Sequence, residues 1–191
     1  MEKIVIIGPP GAGKTTLAKE LGRMLKMKVF HLDRLFWQRG WKGKTRDTRI
    51  DILQGLVREK RWIIEGTYLS SSEPRLEAAD TIIFLDIPPL LCLQRIIKRH
   101  HECHECSRRD IPEGCIDKLT PFRMLKALAF PFRGRRTLKQ MLRSYKSKRI
   151  IRLRSGKEVK DFLAQQGTED KRYASSTVPV AIESLLVATG Q

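Results

Sequence analysis

Gly8-Pro9-Pro10-Gly11-Ala12-Gly13-Lys14-Thr15 is the stretch whose reading decides the fold of this chain. It satisfies Gly-x-x-x-x-Gly-Lys-Ser/Thr in full and lies between an apolar run, Ile4-Val5-Ile6-Ile7, and a segment of helical periodicity beginning at Lys14. In that setting backbone N–H groups and the helix N-terminus cradle phosphates. Lys14 reaches the β and γ oxygens, and Thr15 offers a hydroxyl to magnesium. The expected phosphate cradle is therefore Gly8, Pro9, Pro10, Gly11, Ala12, Gly13, Lys14, Thr15 and Thr16. The competing reading, a glycine-rich turn that caps a helix by chance, must explain every fixed position of the motif in the correct strand-to-helix context.

Outward from the loop, apolar runs alternate with helical patterns. Strands are expected at 3–7, 28–32, 61–64, 81–85 and 149–153. Helices are expected at 14–26, 46–59, 72–79, 89–100, 121–132 and 136–146, with a polar loop from about 100 to 120. Such alternation indicates an α/β protein, a parallel sheet covered on both faces. Ser155 followed by Glu158 resembles a capping box that opens a last helix ending near Leu163. The expected organisation is one domain over residues 1–163, with a lid and its flanks at about 100–135 inserted in it. A tail over 164–191 follows, whose apolar stretch at 178–188 suits a docked helix.

The chain has 191 residues, 38 Lys plus Arg against 21 Asp plus Glu, and a formal charge of +17. At 41% hydrophobic and 31% charged residues it is neither wholly disordered nor a membrane bundle, and its apolar runs end well short of the roughly 18 residues of a spanning helix. Met1-Glu2-Lys3 leads directly into the first strand without a signal-like succession, so a cytoplasmic protein with reduced cysteines is expected, with no membrane partner. Residues 95–154 contain 18 Lys or Arg against 5 Asp or Glu, and so supply +13 of the charge. Polyanionic partners or substrates follow from that balance, whether nucleotide phosphates or a nucleic-acid backbone.

A phosphate loop needs an acid near the magnesium. Ile63-Ile64-Glu65-Gly66 and Phe84-Leu85-Asp86 each bring a carboxylate to a strand end, where ligands gather on such sheets. Either acid could equally be a solvated strand end. Glu65 has the added feature of a following glycine, which permits close backbone approach.

These segments together resemble the nucleoside monophosphate kinase-like P-loop proteins, and within them the DNA topology modulation proteins, also described as adenylate kinase-related. The resemblance rests on the phosphate loop, His31-Leu32-Asp33-Arg34-Leu35-Phe36-Trp37, Trp62-Ile63-Ile64-Glu65-Gly66-Thr67-Tyr68, Ala79-Asp80-Thr81-Ile82-Ile83-Phe84-Leu85-Asp86 and Pro112-Glu113-Gly114-Cys115, in order across residues 3–163. It implies a three-layer P-loop NTPase fold with a five-stranded parallel sheet in the order 2-3-1-4-5 and a small helical lid. Adenylate kinases end the third strand in Asp-Gly, whose carboxylate holds magnesium through water. Glu65-Gly66 stands there in this chain, followed by Thr67-Tyr68 in place of the usual Phe-Pro. Asp33 matches the position where shikimate kinase-like members carry the acid that engages an acceptor hydroxyl. The reading of Asp33 as an N-cap for a short helix over 34–37 stands beside that one.

The resemblance further implies that Arg95 and Arg99, four residues apart on one helix face, contact ATP near the lid. Arg108 and Arg109 look like lid residues, and Arg136 and Arg143 look like the post-lid arginines of such kinases. As a set these cations suit the charge of phosphoryl transfer. Arg34, Trp37 and Tyr68 accompany Asp33 on the expected acceptor side. Trp37 and Trp41 are available to stack on an acceptor, whereas Trp62 is expected to pack within its strand. Cys103, Cys106 and Cys115, with His101 or His104, could close a tetrahedral zinc site, since some adenylate kinases carry a lid zinc. An exposed polar loop is the competing reading, and zinc is the secondary one.

The function expected from the sequence is transfer of the γ-phosphoryl group of ATP, assisted by magnesium, to a small-molecule or nucleotide acceptor, by a monomer or homodimer. The expected catalytic groups are Lys14, Asp33, Arg95, Arg99, Arg136 and Arg143. Magnesium is expected on Thr15, Glu65 and Asp86. A nucleic-acid-associated ATPase or regulatory protein affecting DNA topology is the alternative, carried by the +13 segment. A nucleotide-binding protein without turnover is a third.

Overall fold

The computed structural model describes residues 1–102, 128, 130 and 134–176. Five strands form one parallel sheet: β1 (Lys3–Ile7), β2 (Val29–His31), β5 (Trp62–Glu65), β6 (Thr81–Leu85) and β7 (Arg149–Leu153). Their spatial order is β2-β5-β1-β6-β7, the expected 2-3-1-4-5. The central strand β1 pairs with β5, Val5 opposite Ile64, and with β6, Val5 opposite Ile82.

Burial on both faces explains why these strands read as continuous apolar runs instead of alternating ones. Ile4 and Ile6 face one way, into a cluster with Leu17, Ala18 and Leu21 of α1 (Lys14–Met24), Cys92 of α5 (Pro89–Glu102) and Phe162 of α7 (Gly156–Ser176). Val5 and Ile7 face the other way. There they meet Leu32 and Phe36 of α2 (Leu32–Phe36), Leu53 of α3 (Arg46–Leu56), Leu76 of α4 (Glu73–Ala78), and Leu138 and Leu142 of α6 (Gly134–Arg143). Trp62 packs inside this second layer, fully buried, as the sequence predicts.

Some boundaries differ from expectation. Residues 37–43 form a small antiparallel hairpin, β3 (Trp37–Gln38) and β4 (Lys42–Gly43), joined by a one-turn 3-10 helix, Arg39–Trp41. Its tight tip is made by Gly40 at φ 74°. The helix α2 starts at Leu32 with His31 at its N-cap, so Asp33 lies in the first turn and does not cap it. The last helix, expected to stop near Leu163, runs to Ser176. The Ser155–Glu158 box does open it: Glu158 N–H donates to Ser155 Oγ at 3.1 Å and Arg154 N–H to the Glu158 carboxylate at 2.8 Å. No proline stops the helix, and beyond Leu163 Gln166 is buried. The expected helix over 121–132, the Pro112–Cys115 element, most of the expected lid and the 178–188 stretch lie outside the described residues. Among the described residues, no helix is long and apolar enough to cross a membrane.

Candidate functional site

Strand β1 delivers Gly8 to the carboxyl edge of the sheet, and the loop turns through Gly11 at φ 78° and Gly13 at φ 94° into α1. Gly11 is required on two counts. Its φ disfavours a side chain, and a Cβ there would lie 2.4 Å from the Cys92 carbonyl oxygen, which is backbone and cannot step aside. The loop therefore packs directly on α5. From that helix Arg95 reaches over it and donates from Nη1 to the Ala12 carbonyl at 3.2 Å.

Lys14 folds back within the loop, its Nζ donating to Gly8 O at 3.0 Å and Pro9 O at 2.9 Å. Burial pushes its pKa down, opposed by the negative charges of Glu65 and Asp33, and Arg99 adds a like charge. The Lys14 ammonium thus feels the charges of Glu65, Asp33 and Arg99 together. Thr15 donates from Oγ1 to Glu65 Oε1 at 3.1 Å, and His31 Nδ1 lies 2.9 Å from the same oxygen. Thr16 is exposed beside them.

The turn after β5 binds both sides of the site together. Gly66 N–H donates to Ile6 O at 3.1 Å, and Gly66 itself, at φ 137°, packs so closely on Leu32 that a Cβ would lie 2.9 Å from that side chain. Thr67 Oγ1 donates to Gly8 O at 2.5 Å, and Gly8 N–H points back to that hydroxyl at 3.3 Å. Tyr68 donates from its phenol to Asp33 Oδ1 at 2.5 Å and accepts from Trp37 Nε1 at 2.6 Å. Its ring stands edge-on to Phe36, and the Arg49 guanidinium lies 5.4 Å from the ring centroid. Burial, then the adjacent Asp33 carboxylate, drives the Tyr68 pKa far up, so the phenol remains a donor. Trp37 also stands edge-to-face with Trp41, centroids 5.6 Å apart, so the aromatic pair is linked to Asp33 through Tyr68. Arg34, the residue after Asp33, is exposed.

Asp86 takes a different place from Glu65. It accepts from Arg135 Nη2 at 2.8 Å and Arg152 Nε at 2.7 Å, with Arg152 Nη2 also in contact. Burial works to raise its carboxyl, but the two arginines outweigh that and hold it below the usual carboxylate range. One of its oxygens, Oδ2, is taken by both guanidinium groups, while the Thr15 hydroxyl is turned to Glu65. A cavity of about 320 Å³ opens beside this ion pair, lined by Pro9, Ile87, Pro88 and Pro89, with Arg135 and Arg154 at its rim.

The sequence-predicted residues Gly8 to Thr15, Asp33, Trp37, Glu65, Tyr68, Arg95 and Arg99 thus come together at one end of the sheet. Arg136 and Arg143 are both exposed on α6 and, among the described residues, have no hydrogen bond or ion pair to this group. Arg135 is the inward arginine, and the helical period shows why. Residues 135, 138 and 142 share a face, and Leu138 and Leu142 on that face are buried. Arg108, Arg109, Cys103, His104, Cys106 and Cys115 lie outside the described residues. His101 is exposed, its ring 6.2 Å from that of His100.

Thr67, His31, Arg75 and Arg152 had no assigned role in the sequence. Arg75 of α4 is fully buried and donates from Nη2 to the Thr67 carbonyl at 2.9 Å. Its Nε and Nη1 find no hydrogen-bond partner among the described residues, and burial lowers its pKa to about 10. The one sequence signal for it was an arginine on the inward face of a short helix, next to Leu76.

A protein-family model described as "AAA domain" matches residues 4–113. Among curated proteins, none matches. Among solved structures, shikimate kinase from Acinetobacter baumannii in complex with shikimate is similar at 17% identity and a TM-score of 0.55, over 94% of this chain and 96% of that one. Shikimate kinase from Bacteroides thetaiotaomicron is similar at 18% identity and a TM-score of 0.50, over 85% and 94%. At such identities the likeness concerns the fold: a parallel P-loop sheet of the kinase kind.

Proposed function

The chain belongs to the AAA-domain family, whose model covers more than half of it, and from that premise we propose that it is an ATP-dependent phosphotransferase acting on a small hydroxylated or phosphorylated acceptor. The observation that carries this reading is the surroundings of Lys14: its ammonium is folded into the phosphate loop against Gly8 O and Pro9 O and feels the charges of both Glu65 and Asp33, with the Thr15 hydroxyl turned to Glu65. A nucleotide-binding loop needs the first acid. The second, held by Tyr68 on the β2 side of the sheet, is what an acceptor would meet.

Hard oxygen donors from Thr15 and Glu65 suit magnesium, and their convergence at 3.1 Å fits one small cation shared between them, directly or through water. When bound there, magnesium neutralises charge on the transferring phosphates. The loop N–H groups and Lys14 hold the phosphates, and Arg95 and Arg99 cover them from α5. Asp33 orients the acceptor through the oxygen that Tyr68 does not occupy. Asp86 contributes by holding Arg135 and Arg152, of which Arg135 lines the adjacent cavity and borders the nucleotide side. Phosphoryl transfer of this type is mostly positioning and charge stabilisation, which a set of fixed cations and one orienting carboxylate can supply.

The test is a coupled ADP-release screen over nucleoside monophosphates, nucleosides and small hydroxy acids. One acceptor is expected to raise ADP release well above the rate in its absence, and Lys14→Met should abolish that turnover with the circular dichroism spectrum unchanged. Turnover that survives Lys14→Met overturns the assignment.

The exposed cations of α6 and the edge strand favour a second reading, a nucleic-acid-associated ATPase of the DNA topology modulation kind. Arg136, Lys139, Arg143 and Arg149 are all exposed, and crowding by Arg135 and then Arg152 lowers the Lys139 pKa. Backbone binding by such a face would weaken steeply with salt, so titrating duplex DNA at two salt concentrations separates it from the kinase reading.

A further inference from the structure

Gly8 O is shared. It accepts from Lys14 Nζ at 3.0 Å and from Thr67 Oγ1 at 2.5 Å. A phosphate cradled by the loop competes for the same ammonium, because a dianionic oxygen is a far stronger acceptor for Lys14 than a peptide carbonyl. Any such change at Gly8 O is felt by the Thr67 hydroxyl, which has that carbonyl as its acceptor. Thr67 is also gripped from behind, where the buried Arg75 donates to its carbonyl at 2.9 Å. The next residue, Tyr68, donates to Asp33 Oδ1 and is itself held by Trp37 Nε1. Two adjacent residues therefore connect the first glycine of the phosphate loop to the acceptor-side acid through side-chain hydrogen bonds at both ends.

We propose that Thr67 and Tyr68 are positioning residues, a strap that makes the orientation of Asp33 and Trp37 depend on phosphate bound in the loop. The inference rests on the nucleotide reading of that loop and adds a role for the turn after β5. Tyr68 is on this account a holder of Asp33 and not a contact of the acceptor, since its phenol oxygen already donates to one side chain and accepts from another. The strap fixes which Asp33 oxygen faces the acceptor, and so orders the two substrates: the acceptor acid takes its working geometry after the nucleotide phosphates engage Lys14. Coupling of this sort needs a discrete rearrangement that both sites bias, and transfer of the Lys14 ammonium from Gly8 O to a bound phosphate would be that rearrangement.

The experiment measures ADP with magnesium binding to the full chain by two readouts, calorimetric heat and tryptophan emission. In the unaltered protein the emission change is expected to saturate with the same dissociation constant as the heat. Trp37→Phe should remove most of the emission change while ADP still titrates to saturation by heat. Thr67→Val, which keeps shape but loses the hydroxyl, should reduce the emission change by more than half with heat still measurable, and Thr67→Ser should restore it. Tyr68→Phe breaks the strap at its other end and should behave like Thr67→Val, so the proposal remains testable if one of the two variants fails to fold. Heat without an emission change in the unaltered protein, or an undiminished emission change in folded Thr67→Val or Tyr68→Phe, overturns the strap alone. Absence of binding heat in the unaltered protein overturns the nucleotide reading and the strap with it.

Discussion

Replacing Gly11 by Ala would drive a methyl carbon against the Cys92 carbonyl at a backbone angle that side chains rarely adopt. The expected cost is about 2–4 kcal/mol, combining strain at φ 78° with displacement of the loop from α5. Chemical denaturation would measure it, and a variant within about 0.5 kcal/mol of the parent would show that the loop does not rest on α5 as described. Arg75 presents the opposite case. A fully buried guanidinium with one hydrogen bond is poorly compensated for its lost hydration, so its removal relieves a cost as well as breaking a contact. Arg75→Met is therefore expected to change stability by less than about 2 kcal/mol in either direction, whereas Arg75→Glu, which sets a second buried acid near Glu65, should prevent folding. Denaturation of the first and soluble yield of the second check this pair.

Among the elements, β1 and α7 offer the cleanest tests. The start of β1 is tied down by Asp80, whose carboxylate accepts from Glu2 N–H at 2.7 Å, Lys3 N–H at 2.8 Å and Thr81 Oγ1 at 2.6 Å. Burial works to raise this carboxyl, but the Thr81 hydroxyl and the two backbone donors outweigh it and hold it below its ordinary value. An acid with a depressed folded pKa stabilises the protein above its unfolded value, about 3.9, and loses that contribution as pH falls through the lower folded value. Thermal stability should accordingly fall on acidification below about pH 4, and Asp80→Asn should flatten that part of the profile. Ser155→Ala should cost about 1 kcal/mol through loss of the N-cap of α7, read from the shift in denaturation midpoint. At this scale the period of the sequence carries information about which side chains face inward. The face of α6 that holds Leu138 and Leu142 also holds Arg135, so the inward arginine was legible from the helical spacing. What spacing could not give is its partner, because Asp86 lies 49 residues earlier and meets Arg135 only when β6 and α6 are brought together.

For the whole molecule, the charge of +17 is concentrated toward the second half of the chain, and the described part of that half gathers Arg135, Lys139, Arg152 and Arg154 around Asp86. Like charges at such density repel, and salt screens them over a Debye length of about 10 Å at 0.1 M. The melting temperature should thus rise as sodium chloride is raised from about 20 to 200 mM, and inorganic phosphate should raise it further at equal ionic strength by occupying the cationic sites. A melting temperature independent of salt would mean that the cations are better compensated than their positions suggest.

The sequence by itself determined the phosphate loop, the parallel α/β character of the sheet and the two strand-end acids, while the strand order followed from the family resemblance. These depend on local pattern: glycines where the backbone must turn, apolar runs where both faces are covered, and chain order that limits how strands can be laid side by side. Only the tertiary structure decided that Glu65 turns to Thr15 while Asp86 turns to arginines, that Thr67 rather than another hydroxyl meets Gly8, and that Tyr68 holds Asp33. Those choices are made between residues 35 to 66 positions apart, and a side chain selects its partner only after the sheet has fixed the distance and direction between them.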